Sequence, residues 1–247
     1  MKTLSTIILL LVAATGLKAQ NMVVQNRPYT DLRPLHFGVI VGIHAQDIEL
    51  NNIGPQMVMN EDGTQAEKLI TCDQDKWDLG FTVGVLGEFR LNSNFAFRIA
   101  PALYFGNRHL TFTNLSDKDA NGKPVTVQQD MKTAYISTAL DLIFAAPRLN
   151  NTRPYIMAGL NPMVNLSGKD DDYIKLKKFD VMAEVGLGCD LYLPFFKLRP
   201  ELKFCYSLVN SLDTKHPEQL RDQNKVMYAN SVNKANSKMI VLSFYFE

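Results

Sequence analysis

The sequence predicts an all-β chain that forms an eight-stranded antiparallel up-and-down transmembrane β-barrel. Three observations predict it. Residues 1–19 have the make-up of an export signal. No later segment holds the ~18 consecutive apolar residues of a membrane helix. A two-residue alternation of bulky apolar with small or polar side chains recurs eight times.

The leader comes first. Lys2 supplies a basic start, residues 7–14 an apolar stretch, and Gly16-Leu17-Lys18-Ala19 a short exit before Gln20. A run of that length does not cross a ~30 Å hydrocarbon layer, so it is a targeting element, with removal expected after Ala19. The mature chain is then residues 20–247, a single outer-membrane β-barrel domain that opens with a short periplasmic segment, residues 20–34. Losing the leader removes Lys2 and Lys18 and no acid, which leaves 24 basic side chains against 25 acidic ones. A near-neutral chain without a basic cluster argues against nucleic acid as a partner. Cys72, Cys189 and Cys205 are too few and too scattered for a disulfide framework.

The strands follow in order. Residues 35–44 set Leu35, Phe37, Val39, Val41 and Ile43 against His36, Gly38, Gly42 and His44. Residues 77–91 set Trp77, Leu79, Phe81, Val83, Val85, Phe89 and Leu91 against Asp78, Gly80, Thr82, Gly84, Leu86, Glu88 and Arg90. Residues 95–108 place Phe95, Phe97, Ile99, Leu103 and Phe105 opposite Arg98, Ala100, Ala102, Tyr104 and Gly106. The fourth and fifth strands, residues 131–145 and 153–165, alternate more weakly, and their facing is left unassigned. Residues 178–192 oppose Phe179, Val181, Val185, Leu187 and Leu191 to Asp180, Glu184, Gly186, Gly188 and Asp190. Residues 195–210 oppose Leu198, Leu202, Phe204 and Leu208 to Lys197, Arg199, Glu201 and Lys203. In residues 237–247, Ile240, Leu242, Phe244 and Phe246 alternate with Val241, Ser243 and Tyr245.

Connections alternate in length. Residues 45–76, 109–130, 166–177 and 211–236 are long and polar, whereas 92–94, 147–152 and 193–194 are short. All long loops therefore fall at one end, the pattern of bacterial outer-membrane barrels, whose short turns are periplasmic and whose long loops face outward. Pro101, Pro162 and Pro200 fall inside these strands and each removes a ladder donor, so bulges, or strand portions beyond the hydrocarbon, are expected there.

A water-soluble barrel of the same strand count would place its bulky apolar residues inside. Here the face opposite the Leu, Phe, Val and Ile positions mixes glycine and alanine with charges of both signs, which suits a narrow interior better than a water-facing surface. The charges expected to point inward are Asp78, Glu88, Arg90, Arg98, Asp141, Asp180, Glu184, Asp190, Lys197, Arg199, Glu201 and Lys203. Among them Glu88, Arg98, Asp141, Glu184, Arg199, Glu201 and Lys203 form the expected interior charge network. Its role is structural: eight strands leave only enough room for side chains, and buried charges persist when paired.

Sites of chemistry are not evident. His36, His44, His109 and His216 are dispersed and lack metal-ligand spacing. A lipid hydrolase would need serine, histidine and an orienting acid at the membrane surface, and no local arrangement supplies them. Residues 116–122 and 168–173 are oxygen-rich but do not match a calcium loop, and read as solvated turns. No catalytic residue, cofactor, metal or small-molecule substrate is expected, and outer-membrane lipid is the first partner.

Several longer strings carry a resemblance. Asn26-Arg-Pro-Tyr29 leading into residues 35–47, Arg148-Leu-Asn-Asn-Thr-Arg-Pro-Tyr155, residues 186–204 with their Leu191-Tyr-Leu-Pro-Phe-Phe-Lys-Leu-Arg-Pro-Glu-Leu core, and the closing residues 237–247 resemble PorT-family proteins of Bacteroidetes. The resemblance spans nearly the whole mature chain. It implies an outer-membrane barrel that is an accessory, non-enzymatic part of the type IX secretion system, with other secretion components as partners and, in gliding relatives, a part in motility. It carries over no catalytic residue. A general adhesion or envelope-stabilising barrel that binds partners through its long outer loops is the alternative.

Overall fold

Alternation of side chains builds the outer wall of the barrel. The computed structural model describes residues 24–59, 64–168, 172–220 and 222–247; the leader expected at 1–19 lies outside them. Ten strands lie among the described residues: β1 (Leu35–Asn52), β2 (Pro55–Met59), β3 (Gln65–Asp73), β4 (Asp78–Arg90), β5 (Phe95–Lys118), β6 (Pro124–Ala145), β7 (Thr152–Asn165), β8 (Phe179–Tyr192), β9 (Lys197–Ser207) and β10 (Val232–Phe246). Eight of them close a ring of antiparallel neighbours in the order β1-β4-β5-β6-β7-β8-β9-β10, with β10 returning to β1. The eight-stranded up-and-down barrel of the sequence reading is thus the fold.

Facing follows from solvation. Phe37, Val39, Val41, Ile43, Leu79, Phe81, Val185, Leu187 and Phe204 are exposed on the outside, an apolar band for lipid, while their neighbours in sequence turn inward. The two weakly patterned strands resolve the same way. β6 exposes Ile136, Leu140, Leu142 and Phe144 and buries Tyr135, Ser137, Ala139 and Asp141; β7 exposes Ile156, Leu160 and Val164 and buries Tyr155, Met157, Asn161 and Met163. Their inward aromatics and methionines had blurred the contrast.

The three prolines sit on the outward face without bulges. Pro101 stays in register with Thr138, Pro162 with Val181 and Pro200 with Phe244. On the opposite side each ladder lapses for two positions and resumes in the same register. An antiparallel residue bonds to one neighbouring strand only, so the missing N–H costs one side of the ladder and bends nothing. The expected distortion is corrected accordingly.

The strands also run past the membrane, into segments expected to be loops. β5 and β6 stay paired far beyond the apolar band. Outward positions on β5 change from Leu103 and Phe105 to Asn107, His109, Thr111 and Thr113, while the inward ones become Leu110 and Phe112. The period survives but the faces swap, as a wall passing from lipid into water requires. The turn at its tip is tied by Asp119, whose carboxylate accepts the Lys123 and Asn121 N–H groups at 3.0 and 2.8 Å. Those bonds hold its pKa below the usual carboxylate value.

The expected loop 45–76 holds the end of β1 and a β2–β3 hairpin, with β3 paired onto β5. The expected loop 211–236 holds a short helix, α1 (Gln223–Ala229), capped by the Asp222 side chain, and the start of β10. Together these segments bury Ile48, Ile70, Cys72, Leu110, Phe112, Met131, Ile174, Leu176, Leu212 and Tyr228 in an apolar core of their own. The loop end is therefore a packed lobe. All three cysteines are free, and burial pushes the Cys72 thiol pKa up.

Candidate functional site

Register places the interior charges. Following directly opposite register partners round the ring from His36 gives Glu88, Arg98, Asp141, Gly159, Glu184, Cys205 and Met239, and the line returns to β1 at Gln46. That advance of ten residues over eight strands tilts the strands by about 40°. Glu88, Arg98, Asp141 and Glu184 therefore occupy consecutive steps of one ramp, interrupted only at Gly159. A Cβ on Gly159 would stand 2.3 Å from Asp141 Oδ1, so the ramp needs glycine there.

Arg98 is the hub and is 0 % exposed. It donates to Glu201 at 2.7 Å and lies 3.5 Å from Glu88 and 3.8 Å from Asp141. Glu201 also accepts the Tyr155 and Tyr245 hydroxyls at 2.7 Å each. The Tyr245 ring lies 4.5 Å from the Arg98 guanidinium carbon. Nearer the short turns, Arg199 holds Asp190 at 2.5 Å, pairs with Glu88, and stands 3.3 Å from Glu247. Lys197 reaches Glu247 at 2.6 Å. Toward the loops, Lys203 donates to Glu184 at 3.2 Å, and Glu184 accepts from Asn161 at 3.1 Å.

All seven residues named from the sequence thus lie buried inside the ring, and they meet in two clusters: one around Arg98 and Arg199, one at Lys203 and Glu184. Asp141 is the loosest member, with no hydrogen bond to either oxygen. Of the other inward charges, Asp180 accepts from Ser207 and Ser211 at 2.6 Å each, while Asp78 and Arg90 are half-buried at opposite mouths. The alternation omitted Glu247, which follows the last strand, and Arg108, which sits where the two faces swap. Above the charges, Tyr104, Tyr135, Met163, Met182, Met239 and Val241 pack across the interior. At the short-turn mouth the remaining space is about 30 Å³, room for about one water.

The short-turn end carries a latch that alternation could not show. Arg148 donates to the Asn26 and Arg27 carbonyls and to Asn151 Oδ1, and lies 3.6 Å over the Tyr192 ring. Asn151 Oδ1 accepts the Asn26 N–H at 2.9 Å, Arg27 reaches the Glu247 carbonyl at 3.0 Å, and Tyr192 donates to Asp31 at 2.6 Å. Arg27 and Asn150 both hold positive φ, 50° and 52°, in the turns that bring these groups together. The signal in the sequence was the paired strings Asn26-Arg-Pro-Tyr29 and Arg148-Leu-Asn-Asn.

At the loop end a cavity of about 790 Å³ is lined by Met131 and Thr133 of β6 and by Leu166, Ser167, Ile174 and Leu176. Asp78 lies 2.6 Å from His109 Nδ1 at its mouth. Ser167 lines the same cavity but its hydroxyl donates to Asn165 Oδ1 at 2.7 Å. Among the described residues, no serine hydroxyl is bonded to a histidine and no cluster of three metal-ligating side chains occurs. Part of the 168–173 turn, residues 169–171, lies outside the described residues.

Three solved structures are similar in fold. Neisserial surface protein A is 11% identical with a TM-score of 0.43, over 86% of this chain and 98% of that one. Ail of Yersinia pestis, solved with the heparin analogue sucrose octasulfate, is 11% identical with a TM-score of 0.37, over 85% and 96%. AlkL, solved in lipid bilayers, is 12% identical with a TM-score of 0.32, over 93% and 95%. No curated protein sequence matches the chain. The family model for the outer membrane protein β-barrel domain matches residues 19–213, so the chain belongs to that family and resides in the bacterial outer membrane.

Proposed function

We propose that this chain is a non-enzymatic outer-membrane β-barrel that serves as an accessory component of type IX protein secretion, and of gliding motility where the cell glides. One observation carries the reading. The strings that resemble PorT-family proteins converge at the short-turn end: Asn26 and Arg27 from one, Arg148 and Asn151 from another, Tyr192 and Lys197 from a third, Glu247 from the last. They build one rigid periplasmic face, the side on which a secretion machine would meet its barrel. The packed interior favours a scaffold over a translocation pore.

Deleting the gene tests this. Cargo proteins bearing the secretion system's sorting domain should fail to reach the cell surface, and a copy carrying Arg148→Ala should restore them only in part. Normal surface delivery in the deletion strain would refute the proposal. The adhesion or envelope-stabilising reading draws on a separate feature, the packed outer lobe. Co-purification from native membrane separates the two: secretion components support the first, surface or envelope partners the second.

A further inference from the structure

Charge is spread unevenly between the two ends of the barrel. At the β5–β6 tip, Asp117 and Asp119 stand against Lys118 and Lys123. At the short-turn end Glu247 is taken up by Lys197, Arg199 and Arg27, and the buried Glu88 and Asp190 by Arg199. Arg33, Arg90, Arg148 and Arg153 are left there with Asp31 as their one acid among the described residues, and residues 20–23 carry no charge. Arg90 donates to the Asn92 and Leu32 carbonyls, Arg153 to those of Ala146 and Ser93, and Arg148 to those of Asn26 and Arg27. The Arg33 side chain makes no bond among the described residues. A carbonyl orients a guanidinium without neutralising it. Asp31 lies 3.8 Å from both Arg148 and Arg153 and offsets one of the four charges.

Register fixes where this charge points. Arg90 and Arg153 occupy inward positions, opposite Ala96 and Asp190, and Arg148 lies over the buried Tyr192 ring. The outward positions at the same level are Phe89, Leu91, Phe95 and Phe144. Lipid therefore meets apolar side chains, while the arginines face the aqueous mouth. Arg33 is exposed, and Arg90 is fastened beside it, its backbone N–H on the Pro34 carbonyl. Tyr29 and Leu32, 76 % and 61 % exposed, stand on the same turn. Arginine beside tyrosine is the composition of protein-binding hot spots, and an unanswered positive charge selects an acidic partner.

We propose that this face docks an acidic segment of a periplasmic protein, with its carboxylates on Arg33 and Arg90 and an apolar side chain against Tyr29 and Leu32. The inference rests on the reading of this end as the contact face of a secretion component, and adds the chemistry of what it contacts. The test titrates fluorescein-labelled poly-L-glutamate, read by anisotropy, with the whole barrel in maltoside micelles. Binding should saturate and weaken as salt rises. Arg33→Glu should weaken it several-fold, and Arg33→Glu with Arg90→Glu about tenfold or more. Lys118→Glu with Lys123→Glu, at the opposite end, should leave it unchanged. Absent or unsaturable binding would overturn the proposal, as would unchanged affinity in a double arginine variant whose heat-dependent gel mobility shows it folded. If the double variant does not fold, unchanged affinity in Arg33→Glu, which breaks no bond, overturns it instead. Displacement by dioctanoyl phosphatidylglycerol as effective as by unlabelled poly-L-glutamate of equal charge would also overturn it, and would assign the arginines to lipid headgroups. Absent binding alongside lost cargo delivery in the deletion strain sinks this inference and leaves the secretion role standing. Arginine-dependent binding alongside normal delivery supports this inference and refutes that role.

Discussion

Glu201→Leu removes the acceptor on which three interior donors converge. Arg98, Tyr155 and Tyr245 each lose a bond of 2.7 Å. Breaking a buried ion pair by removing one partner costs about 3–5 kcal/mol, and the lower end applies because Glu88 and Asp141 remain 3.5 and 3.8 Å from Arg98. Two stranded tyrosine hydroxyls add about 1 kcal/mol each, so the variant should lose about 5 kcal/mol. Urea unfolding in lipid vesicles, followed by the fluorescence of the chain's one tryptophan, Trp77, measures it. A cost below about 1 kcal/mol for Glu201→Leu would mean that water screens these charges as at a surface, and would refute the closed interior.

Further outcomes follow from the same geometry. Arg148→Ala should free the N-terminal segment and speed chymotryptic cleavage after Tyr29 and Leu32 about tenfold or more, and Arg148→Lys should not rescue it, because the fork to Asn26 and Arg27 and the stack on Tyr192 need a planar guanidinium. Gly188→Ala puts a Cβ 2.4 Å from the Tyr155 hydroxyl and should cost about 1–3 kcal/mol, whereas Gly87→Ala, whose nearest neighbour is Phe37 at 3.7 Å, should be near neutral. At the β5–β6 tip the folded pKa of Asp119 is depressed, so its contribution is complete above the ordinary carboxylate pKa of about 3.9 and fades as pH falls through the lower folded value. The amide proton shifts of Asn121 and Lys123 should hold from pH 7 to about 4 and move only below it; Asp119→Ala should displace them at every pH.

Alternation was legible wherever one face met lipid, because a bulky outward set and a small or charged inward set differ most there. It faded on β6 and β7, where Tyr135, Met157 and Met163 make the inner face apolar too. It failed past Phe105, where the lobe's core takes the inward side and water the outward side, so Leu110 and Phe112 read as loop rather than wall. Arg108 was lost at that crossover. The latch was visible only as unexplained strings, since its bonds join residues more than a hundred positions apart through backbone carbonyls that no side-chain pattern encodes. Twelve inward charges could be named from the sequence, but their partners depend on the ten-residue stagger of the ring, which no single strand carries.

Conductance across a planar bilayer tests the closed barrel most directly. With Arg98, Arg199, Glu88, Asp190 and Glu201 bridging the interior and the methionine and tyrosine layer above them, the refolded protein should show no steady ionic current at any modest voltage. Reproducible ohmic steps from the native barrel would contradict that account, and with it the assignment of these charges as a structural plug.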